Sequence, residues 1–320
     1  MKDKVIINMT RKKTIVSISI IVFLFITFMV TIGIIHYNNK ISFTINDTLE
    51  DGQGKKARVI LLGGQSNAAG CSSNEYLEQN VSNEKYLEYQ NGYDNIYINY
   101  YVTGRNESNG FVKTSTNQGE PGGYFGPEVG LSETLNNLYP DEHFFIIKYT
   151  WSATSIYLHW NSPSSDGKTG EQYRAFIQYI NQNIKYLQSK NYDVSIEGLL
   201  WMQGESDAYP IEVADSYKNK LSNFIKDVRK KFKNYASEDG IAFIDAYIAN
   251  NPMYWVYCEK INQAKKEIAE SSPLNVVIDT NTHNLECDKE PINSPDIPHY
   301  DSLSELKLGR LFAEQLIQFF

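Results

Sequence analysis

A serine and its neighbours carry the first sign of chemistry in this sequence of 320 residues. Ser66 stands in the run Gly-Gly-Gln-Ser-Asn at 63–67, directly after an apolar stretch, 58–62, that predicts a buried strand. A serine on such a turn is exposed near a helix start, where backbone N–H groups can stabilise an oxyanion and glycines let a substrate approach. The same run is also typical of an ordinary turn. Ser66 is therefore a candidate nucleophile that needs a base.

Histidine supplies the candidate base. The five histidines of the chain are His36, His143, His159, His283 and His299. His299 lies in Asp-Ile-Pro-His-Tyr at 296–300, where Asp296 can bond one imidazole nitrogen while the other nitrogen faces a serine. A solvated surface loop is the competing interpretation, and His283 is a fallback base without an acid at similar spacing. The pattern predicts a proton-relaying set of Ser66, His299 and Asp296.

Two further blocks contain groups that suit the same chemistry. Trp-Met-Gln-Gly-Glu-Ser-Asp at 201–207 follows another apolar run, and Gly-Pro-Glu at 126–128 opens a helical pattern after a glycine-rich loop. The Gln203 amide can donate to an oxyanion, and a backbone N–H at 126 can point into the same cleft. Glu128 and Glu205 are candidates for the rival chemistry of glycoside hydrolysis, which needs two carboxylates. No His/Asp pair has the spacing of a helix-borne zinc site, so we expect no metal.

The elements that must position these groups alternate along the chain. Strands are predicted at 58–62, 144–149, 196–201, 241–245 and 275–279, and helices at 128–138, 171–190, 212–232, 256–271 and 302–320. This alternation predicts βαβ crossovers and a parallel sheet covered on both faces, a three-layer α/β/α sandwich. Residues 71–125 break the rhythm with a long Asn-, Tyr- and Gly-rich stretch that contains one strand-like piece, 96–101. Both ligand binding and a surface insertion without a role are open for this stretch.

Composition narrows the class of protein. Hydrophobic residues make up 42% and charged residues 21% of the chain, which is typical of a globular domain. The net charge of −8 argues against a nucleic-acid partner. The three cysteines exclude a dense disulfide framework. A bridge between Cys258 and Cys287 is open, and Cys71 is interpreted as a packing residue.

The amino terminus predicts a membrane anchor over residues 1–40. Basic residues precede an uncharged apolar stretch, 14–35, and a helix of that length rises roughly 30 Å, the hydrocarbon thickness of a bilayer. The charge asymmetry predicts an inside amino terminus, a linker at 41–56 and an extracellular domain at 57–320. A cleaved signal peptide, which would give a secreted protein, is the alternative.

Together the four blocks resemble the SGNH-hydrolase superfamily, specifically its sialate O-acetylesterase-like carbohydrate esterases. That family has Gly-Gln-Ser-Asn, Gly-Pro-Glu, Trp-x-Gln-Gly-Glu-x-Asp and a terminal Asp-x-x-His before an aromatic residue. The resemblance covers nearly all of 57–320 and implies a flavodoxin-like α/β/α fold. It implies Ser66 as nucleophile, His299 as general base and Asp296 as its orienting acid. The implied oxyanion hole is the Ser66 N–H, the Gly126 N–H and the Gln203 side chain.

The resemblance also predicts residues around the substrate. Those expected to bind it are Gln65, Asn67, Glu205, Trp160 and Tyr300. Family members often have Gly-Gly-Thr after the second strand, where this chain has Ser-Ala-Thr at 152–154. No cofactor is expected.

The predicted function is removal of O-acetyl groups from a carbohydrate, a glycan or sialic acid, through a Ser-His-Asp acyl-enzyme. The predicted partners are an acetylated carbohydrate and, through the N-terminal helix, the membrane. One alternative is a membrane-tethered carbohydrate-binding protein on an inactive esterase fold, for which the aromatic content of 13% is suited. A structural surface protein is a third class. We expect substrate specificity to lie largely in residues 71–125 and 151–170.

Overall fold

The computed structural model describes residues 41–320. The ten strands of this part of the chain are β1 (Lys56–Gly64), β2 (Ser72–Ser73), β3 (Ile96–Val102), β4 (Asn106–Glu107), β5 (Val112–Lys113), β6 (Tyr124–Phe125), β7 (Phe144–Thr150), β8 (Asp193–Met202), β9 (Ala242–Ala246) and β10 (Asn275–Ile278). Its eight α-helices are α1 (Ser66–Ala69), α2 (Asn74–Asn80), α3 (Asn83–Asn91), α4 (Glu128–Leu138), α5 (Glu171–Ser189), α6 (Ile211–Phe232), α7 (Cys258–Glu270) and α8 (Ser302–Leu316).

Six parallel strands form the centre of the fold, in the order β10-β9-β8-β1-β7-β3. The strand that precedes Ser66, β1, lies between β7 and β8 and is buried along almost its whole length. Two short strands, β4 and β5, pair antiparallel with β3, and β2 and β6 form a separate antiparallel ribbon. Apolar runs such as 144–147 in β7 occur because a central parallel strand is covered on both faces.

Helices cover the two faces of the sheet, as side chains of β8 show. Trp201 packs against Phe224 of α6, with ring centroids 4.6 Å apart. Gly198, three residues earlier, points to the opposite face, where an added Cβ would lie 2.6 Å from Leu316 of α8. Phe224 of α6 and Leu316 of α8 therefore lie on opposite faces of the sheet. The two helices belong to separate layers with the sheet between them.

The predicted α/β fold with a mainly parallel sheet is confirmed, and every strand and helix predicted within 41–320 overlaps an observed one. Residues 71–125, in which only the strand-like piece 96–101 was predicted, contain further secondary structure. This stretch forms α2 and α3 and then β3, which joins the parallel sheet beside β7. The polar and tyrosine-rich composition of α3 hid its amphipathic pattern, because its buried side chains are Tyr86 and Tyr89.

The segment predicted as a linker at 41–56 contacts the domain. The Phe43 ring packs edge-on against Tyr179 with centroids 4.8 Å apart, and the N–H groups of Thr48 and Leu49 donate to the Tyr186 hydroxyl at 2.8 and 3.0 Å. Residues from Phe43 onward form one compact unit. The predicted anchor, 1–40, lies outside the described residues. Among the helices of 41–320, none combines the length and apolar character needed to cross a bilayer.

The cysteines are all unbridged. Cys71, Cys258 and Cys287 are free thiols, so the open question of a Cys258–Cys287 bridge is answered against it in this structure. The Cys258 thiol instead donates to the Asn250 side-chain oxygen at 3.1 Å.

Candidate active site

A tight turn after β1 places Ser66 at the carboxyl edge of the sheet. Gly64 has φ of +138°, and a Cβ at this position would lie 2.0 Å from the Met202 carbonyl oxygen of β8. Only glycine fits there. The chain then enters α1 with Ser66 as its first residue, 9% exposed. Among the described residues, the Ser66 N–H has no acceptor, so this donor is available at the turn.

The loop before α8 carries the predicted base and acid. His299 Nδ1 lies 2.7 Å from Asp296 Oδ2. With Nδ1–H donating to that carboxylate, Nε2 is left as a proton acceptor. The sequence-predicted pairing of His299 with Asp296 is present in the structure.

Asn67 joins the serine turn to the histidine loop. Its side-chain nitrogen donates to the Pro298 carbonyl at 3.3 Å, and its side-chain oxygen accepts the Tyr300 N–H at 3.1 Å. The residue after Ser66 is thus bonded to both sequence neighbours of His299. The Ser66 hydroxyl itself makes no hydrogen bond within 3.5 Å among the described residues. Its predicted bond to the His299 imidazole stays a prediction, and catalytic hydrogen bonds often tighten only when substrate is bound.

The predicted oxyanion donors differ in availability. The Gly126 N–H donates to Glu128 Oε1 at 2.9 Å. The Gln203 side-chain nitrogen is fully buried and donates to Asp207 Oδ2 at 2.6 Å and to the Thr154 carbonyl at 3.0 Å. The Ser66 N–H therefore differs from the other two predicted donors, which already have protein acceptors.

The residues predicted to bind substrate are nearly all interior. Their exposed fractions are 3% for Gln65, 2% for Asn67, 3% for Glu205, 0% for Trp160 and 1% for Tyr300. Four of them support the turn or the loop. Asn67, for example, donates to Glu205 Oε1 at 2.9 Å, and Gln65 Oε1 accepts from the Gln203 amide at 3.3 Å. These buried side chains support the serine turn and the histidine loop.

Trp160 requires a correction. Its indole N–H donates to Thr154 Oγ1 at 2.8 Å, and its ring packs edge-on against Trp201 with centroids 5.1 Å apart. A side chain without exposed surface packs in the core, so Trp160 holds the 152–160 loop and does not offer a face to substrate. In the same loop Ala153 has φ of +56°, the left-handed conformation that the family's glycine would adopt without strain.

Buried charges lie under the site. Glu128 and Lys148 form an ion pair at 2.7 Å with both side chains fully buried, and Lys148 also donates to the Gln118 carbonyl. Burial, and next the Glu128 carboxylate, raise the pKa of Glu305 well above its ordinary value. Because Glu128 and Glu205 are both buried, the rival pair for glycoside hydrolysis is not presented to a substrate.

Two other carboxyl groups are also shifted by burial. Burial raises the pKa of Asp207 from 3.8 to about 6, against hydrogen bonds from Gln203, Ile156 and Tyr157 that lower it. Burial raises the pKa of Asp245 to about 6 as well, although Lys265 lies 2.6 Å away. Burial likewise raises the pKa of the Cys71 thiol well above its ordinary value, which keeps it protonated and unsuited to nucleophilic attack.

A cleft of about 470 Å³ opens beside His299. Its lining includes Asp296, His299 and Cys71, which is five residues after the candidate nucleophile. The volume falls in the range of small-ligand sites. A sugar-sized molecule in this cleft would lie against the candidate base.

One trio of polar residues was missed by the sequence analysis. Glu120 Oε1 accepts hydroxyl hydrogen bonds from Ser152 at 2.5 Å and Thr103 at 2.6 Å. The trio adjoins the serine turn, because the Glu120 N–H donates to the Gly70 carbonyl at 2.8 Å. The signal that could have found it is the Gly-Glu-Pro-Gly-Gly run at 119–123, a carboxylate set in a tight turn.

A cluster of three carboxylates, outside the candidate active site, has the spacing of a cation site. Oxygens of Glu286, Asp288 and Asp301 lie within 4.8 Å of one another. The Asp301 carboxylate already accepts the backbone N–H groups of 288–290 at about 3 Å, so its lone pairs are engaged. The arrangement is therefore explained as a capped turn before α8.

A strand-ending serine at the edge of a parallel α/β sheet, with an Asp-oriented histidine in the last loop, defines a hydrolase-type site of the SGNH class. The chain belongs to the family described as "Carbohydrate esterase, sialic acid-specific acetylesterase", whose model matches residues 56–318.

Solved structures agree on the fold. A protein from Arabidopsis thaliana superposes with a TM-score of 0.58 at 17% identity, covering 82% of this chain and 99% of that one. The structure of NanS gives a TM-score of 0.58 at 13% identity and covers 85% of this chain and 99% of NanS. No curated protein sequence is significantly similar to this chain.

Proposed function

We propose that this protein is a carbohydrate O-acetylesterase in which Ser66, His299 and Asp296 form the catalytic set. The observation that carries the proposal is the pair of hydrogen bonds of the Asn67 side chain, which donates to the Pro298 carbonyl and accepts from the Tyr300 N–H. It fixes the histidine loop against the residue next to the nucleophile. Membership of a carbohydrate esterase family supports the same activity.

The proposed reaction has two acyl-transfer steps. The Ser66 hydroxyl attacks the acetyl carbonyl while His299 Nε2 takes its proton, and the imidazolium then protonates the departing sugar oxygen. Water, deprotonated by His299, then attacks the acetyl-serine, and the imidazolium returns the proton to the Ser66 oxygen as acetate leaves. Asp296 holds the imidazole by Nδ1 and stabilises its charged form throughout.

The oxyanion of each tetrahedral intermediate needs donors at the turn. The Ser66 N–H is free to bind it. In this proposal the Gly126 N–H and the Gln203 amide also donate hydrogen bonds to the oxyanion. To do so, the Gly126 N–H gives up its bond to Glu128, and the Gln203 amide gives up its bond to Asp207. Release of Glu128 leaves that carboxylate with Lys148, so its charge stays compensated.

The same proposal includes a location for the catalytic domain, which depends on the first forty residues. Basic residues before the uncharged stretch 14–35 favour an anchor that holds domain 57–320 on the outer side of the membrane. Acetylated polymers of the cell envelope are then within reach.

The experiment is acetate release from an aryl acetate and from acetylated sugars by the full chain. Wild type is expected to turn over, and Ser66→Ala to lose at least about 1,000-fold in kcat while it keeps its circular dichroism spectrum. Ser222→Ala, at an exposed hydroxyl of α6, is the matched control. Equal rates for wild type and Ser66→Ala would refute the proposal, and saturable glycan binding without turnover would favour an inactive binding protein.

A further inference from the structure

Apart from the His299 imidazole, the ionisable side chains that give the cleft its charge are carboxylates. Three carboxylates, those of Glu75, Glu290 and Asp296, belong to its lining, and neither lysine nor arginine does in the part of the chain that the structure describes. Glu75 is exposed in the first turn of α2. A cleft lined by one sign of charge raises the local concentration of neutral or cationic ligands over anionic ones.

The Glu290 carboxylate is fixed in this wall. One of its oxygens accepts the Ser73 N–H at 2.7 Å, and the other accepts the N–H and hydroxyl of Ser302 at 3.0 and 2.6 Å. Such a carboxylate cannot swing away to admit another anion. The neighbouring Lys289 does not neutralise it, because its ammonium pairs with Asp288 at 2.9 Å.

The trio of Glu120, Ser152 and Thr103 adds a further carboxylate next to the cleft, because the Glu120 N–H donates to the carbonyl of Gly70, which directly precedes Cys71 of the cleft lining. Glu120 and Ser152 are partly exposed. A carboxylate that already accepts two hydroxyl groups has the chemistry to accept those of a sugar, and hydrogen bonds to an ionised acceptor are the strong ones.

The backbone around this trio is strained. Thr103 has φ of +52°, an outlier for a β-branched residue, and Ala153, next to Ser152, has φ of +56°. Strained residues persist where the surrounding structure holds them, and they cluster at ligand clamps. Two such residues beside one carboxylate mark the trio as a built feature.

We propose that the substrate of this site is an uncharged O-acetylated sugar, held by its hydroxyl groups against Glu120, Ser152 and Thr103. A sugar that bears a carboxylate, such as sialic acid, is disfavoured by the carboxylate wall. This inference rests on the proposed acetylesterase function and narrows it, since the family description names sialic acid.

The effect of substrate charge can be tested with two substrates that differ only at one carboxyl group. O-acetylated sialic acid and its methyl ester carry the same acetyl group, and released acetate is measured for both. We expect kcat/KM to be roughly tenfold higher for the methyl ester at low salt, with the gap closing at high salt. Glu75→Gln should reduce the difference in kcat/KM between the methyl ester and the free acid. A free acid hydrolysed as fast as its methyl ester, or faster, would overturn the inference.

The role of Glu120 is tested by a specificity ratio. Glu120→Gln is expected to lower kcat/KM for a neutral acetylated sugar, relative to an aryl acetate, by about tenfold or more. Glu270→Gln, an exposed change on α7, is the control and should leave the ratio as in wild type. An unchanged ratio in Glu120→Gln would contradict the hydroxyl-binding role. Absence of acetate release from every ester would overturn the proposed function itself, which is a different outcome.

Discussion

At the scale of single residues, Asn67 links the parts of the site that lie farthest apart in sequence. Its amide nitrogen donates to Glu205 and to the Pro298 carbonyl, and its oxygen accepts the Tyr300 N–H. Each of these bonds depends on the amide having a donor and an acceptor end. An aspartate of the same shape would bring an oxygen against two acceptors.

We therefore expect Asn67→Asp to lower kcat for an aryl acetate by roughly 100-fold or more, because the histidine loop loses its position relative to Ser66. Esterase assays at equal concentrations of folded protein measure it. Asn234→Asp, an exposed change of the same chemistry, is the control. Wild-type turnover in Asn67→Asp would show that the linkage is not needed for catalysis.

Which residues belong to the candidate site was more predictable from the sequence than how deeply their side chains are buried. The pairing of Asp296 with His299 follows from a three-residue spacing, which local geometry nearly determines. The burial of Trp160 and Tyr300 was not predictable, because it depends on neighbours such as Trp201 and Tyr247 that are remote in sequence. Glu120 was missed for the same reason, since Thr103 and Ser152 reach it from other strand ends.

At the scale of elements, the strand-to-helix turn after β1 depends on one backbone conformation. The carbonyl of Met202 in β8 approaches Gly64 too closely for any side chain. Gly54 also has positive φ, +79°, but an added Cβ there would meet nothing within 4 Å.

These two glycines give a matched pair. Gly64→Ala is expected to cost about 3 kcal/mol or more in the free energy of unfolding, since it adds a backbone clash to the unfavourable φ. Gly54→Ala should cost only about 1 kcal/mol, the penalty of the left-handed conformation alone. Urea denaturation measures both. Similar costs for the two variants would mean that the turn relaxes around the added methyl group.

The buried pair between α4 and β7 is the second element-scale feature. Glu128→Gln leaves the Lys148 ammonium without a counter-charge in the interior, so we expect a loss of about 3 to 5 kcal/mol in the free energy of unfolding. Glu128→Gln combined with Lys148→Met should recover most of it, because no unpaired charge is left. A single-variant cost below about 1 kcal/mol, the value for an exposed pair, would contradict the assignment.

At the scale of the whole molecule, the parallel sheet was predictable because its apolar runs are continuous and the intervening helices are amphipathic. The region 71–125 was not, because α2 and α3 are short and bury tyrosines and an asparagine with few aliphatic residues. The docking of the predicted linker was equally hidden, since it depends on one ring, Phe43, entering an aromatic cluster with Tyr101, Tyr149 and Tyr179.

Stability should depend on pH through the buried carboxyl groups. The folded-state pKa of Asp207 and of Asp245 is raised from 3.8 to about 6, so the folded protein holds more protons than the unfolded chain between these values. Their contribution is fully present below about pH 4 and is lost as pH rises through about 6, at up to about 3 kcal/mol for each group.

Because this contribution is lost as pH rises, we predict that the free energy of unfolding is higher at pH 5 than at pH 7. Urea denaturation at the two pH values measures it. Asp207→Asn, which removes one of the two groups, should show a smaller difference between the two pH values than wild type. A wild-type protein that steadily loses stability as pH falls from 7 to 5 would contradict the assignment of these two carboxyl groups.

The central claim, that Ser66 is a nucleophile activated in the folded protein, is tested most directly by covalent modification. An organophosphonate ester is incubated with the full chain, and the modified peptide is identified by mass spectrometry. We predict stoichiometric modification of Ser66, loss of esterase activity at the same rate, and no modification after denaturation in urea or in the His299→Ala variant. Inactivation with Ser66 unmodified, or equal labelling of folded and denatured chains, would contradict the account.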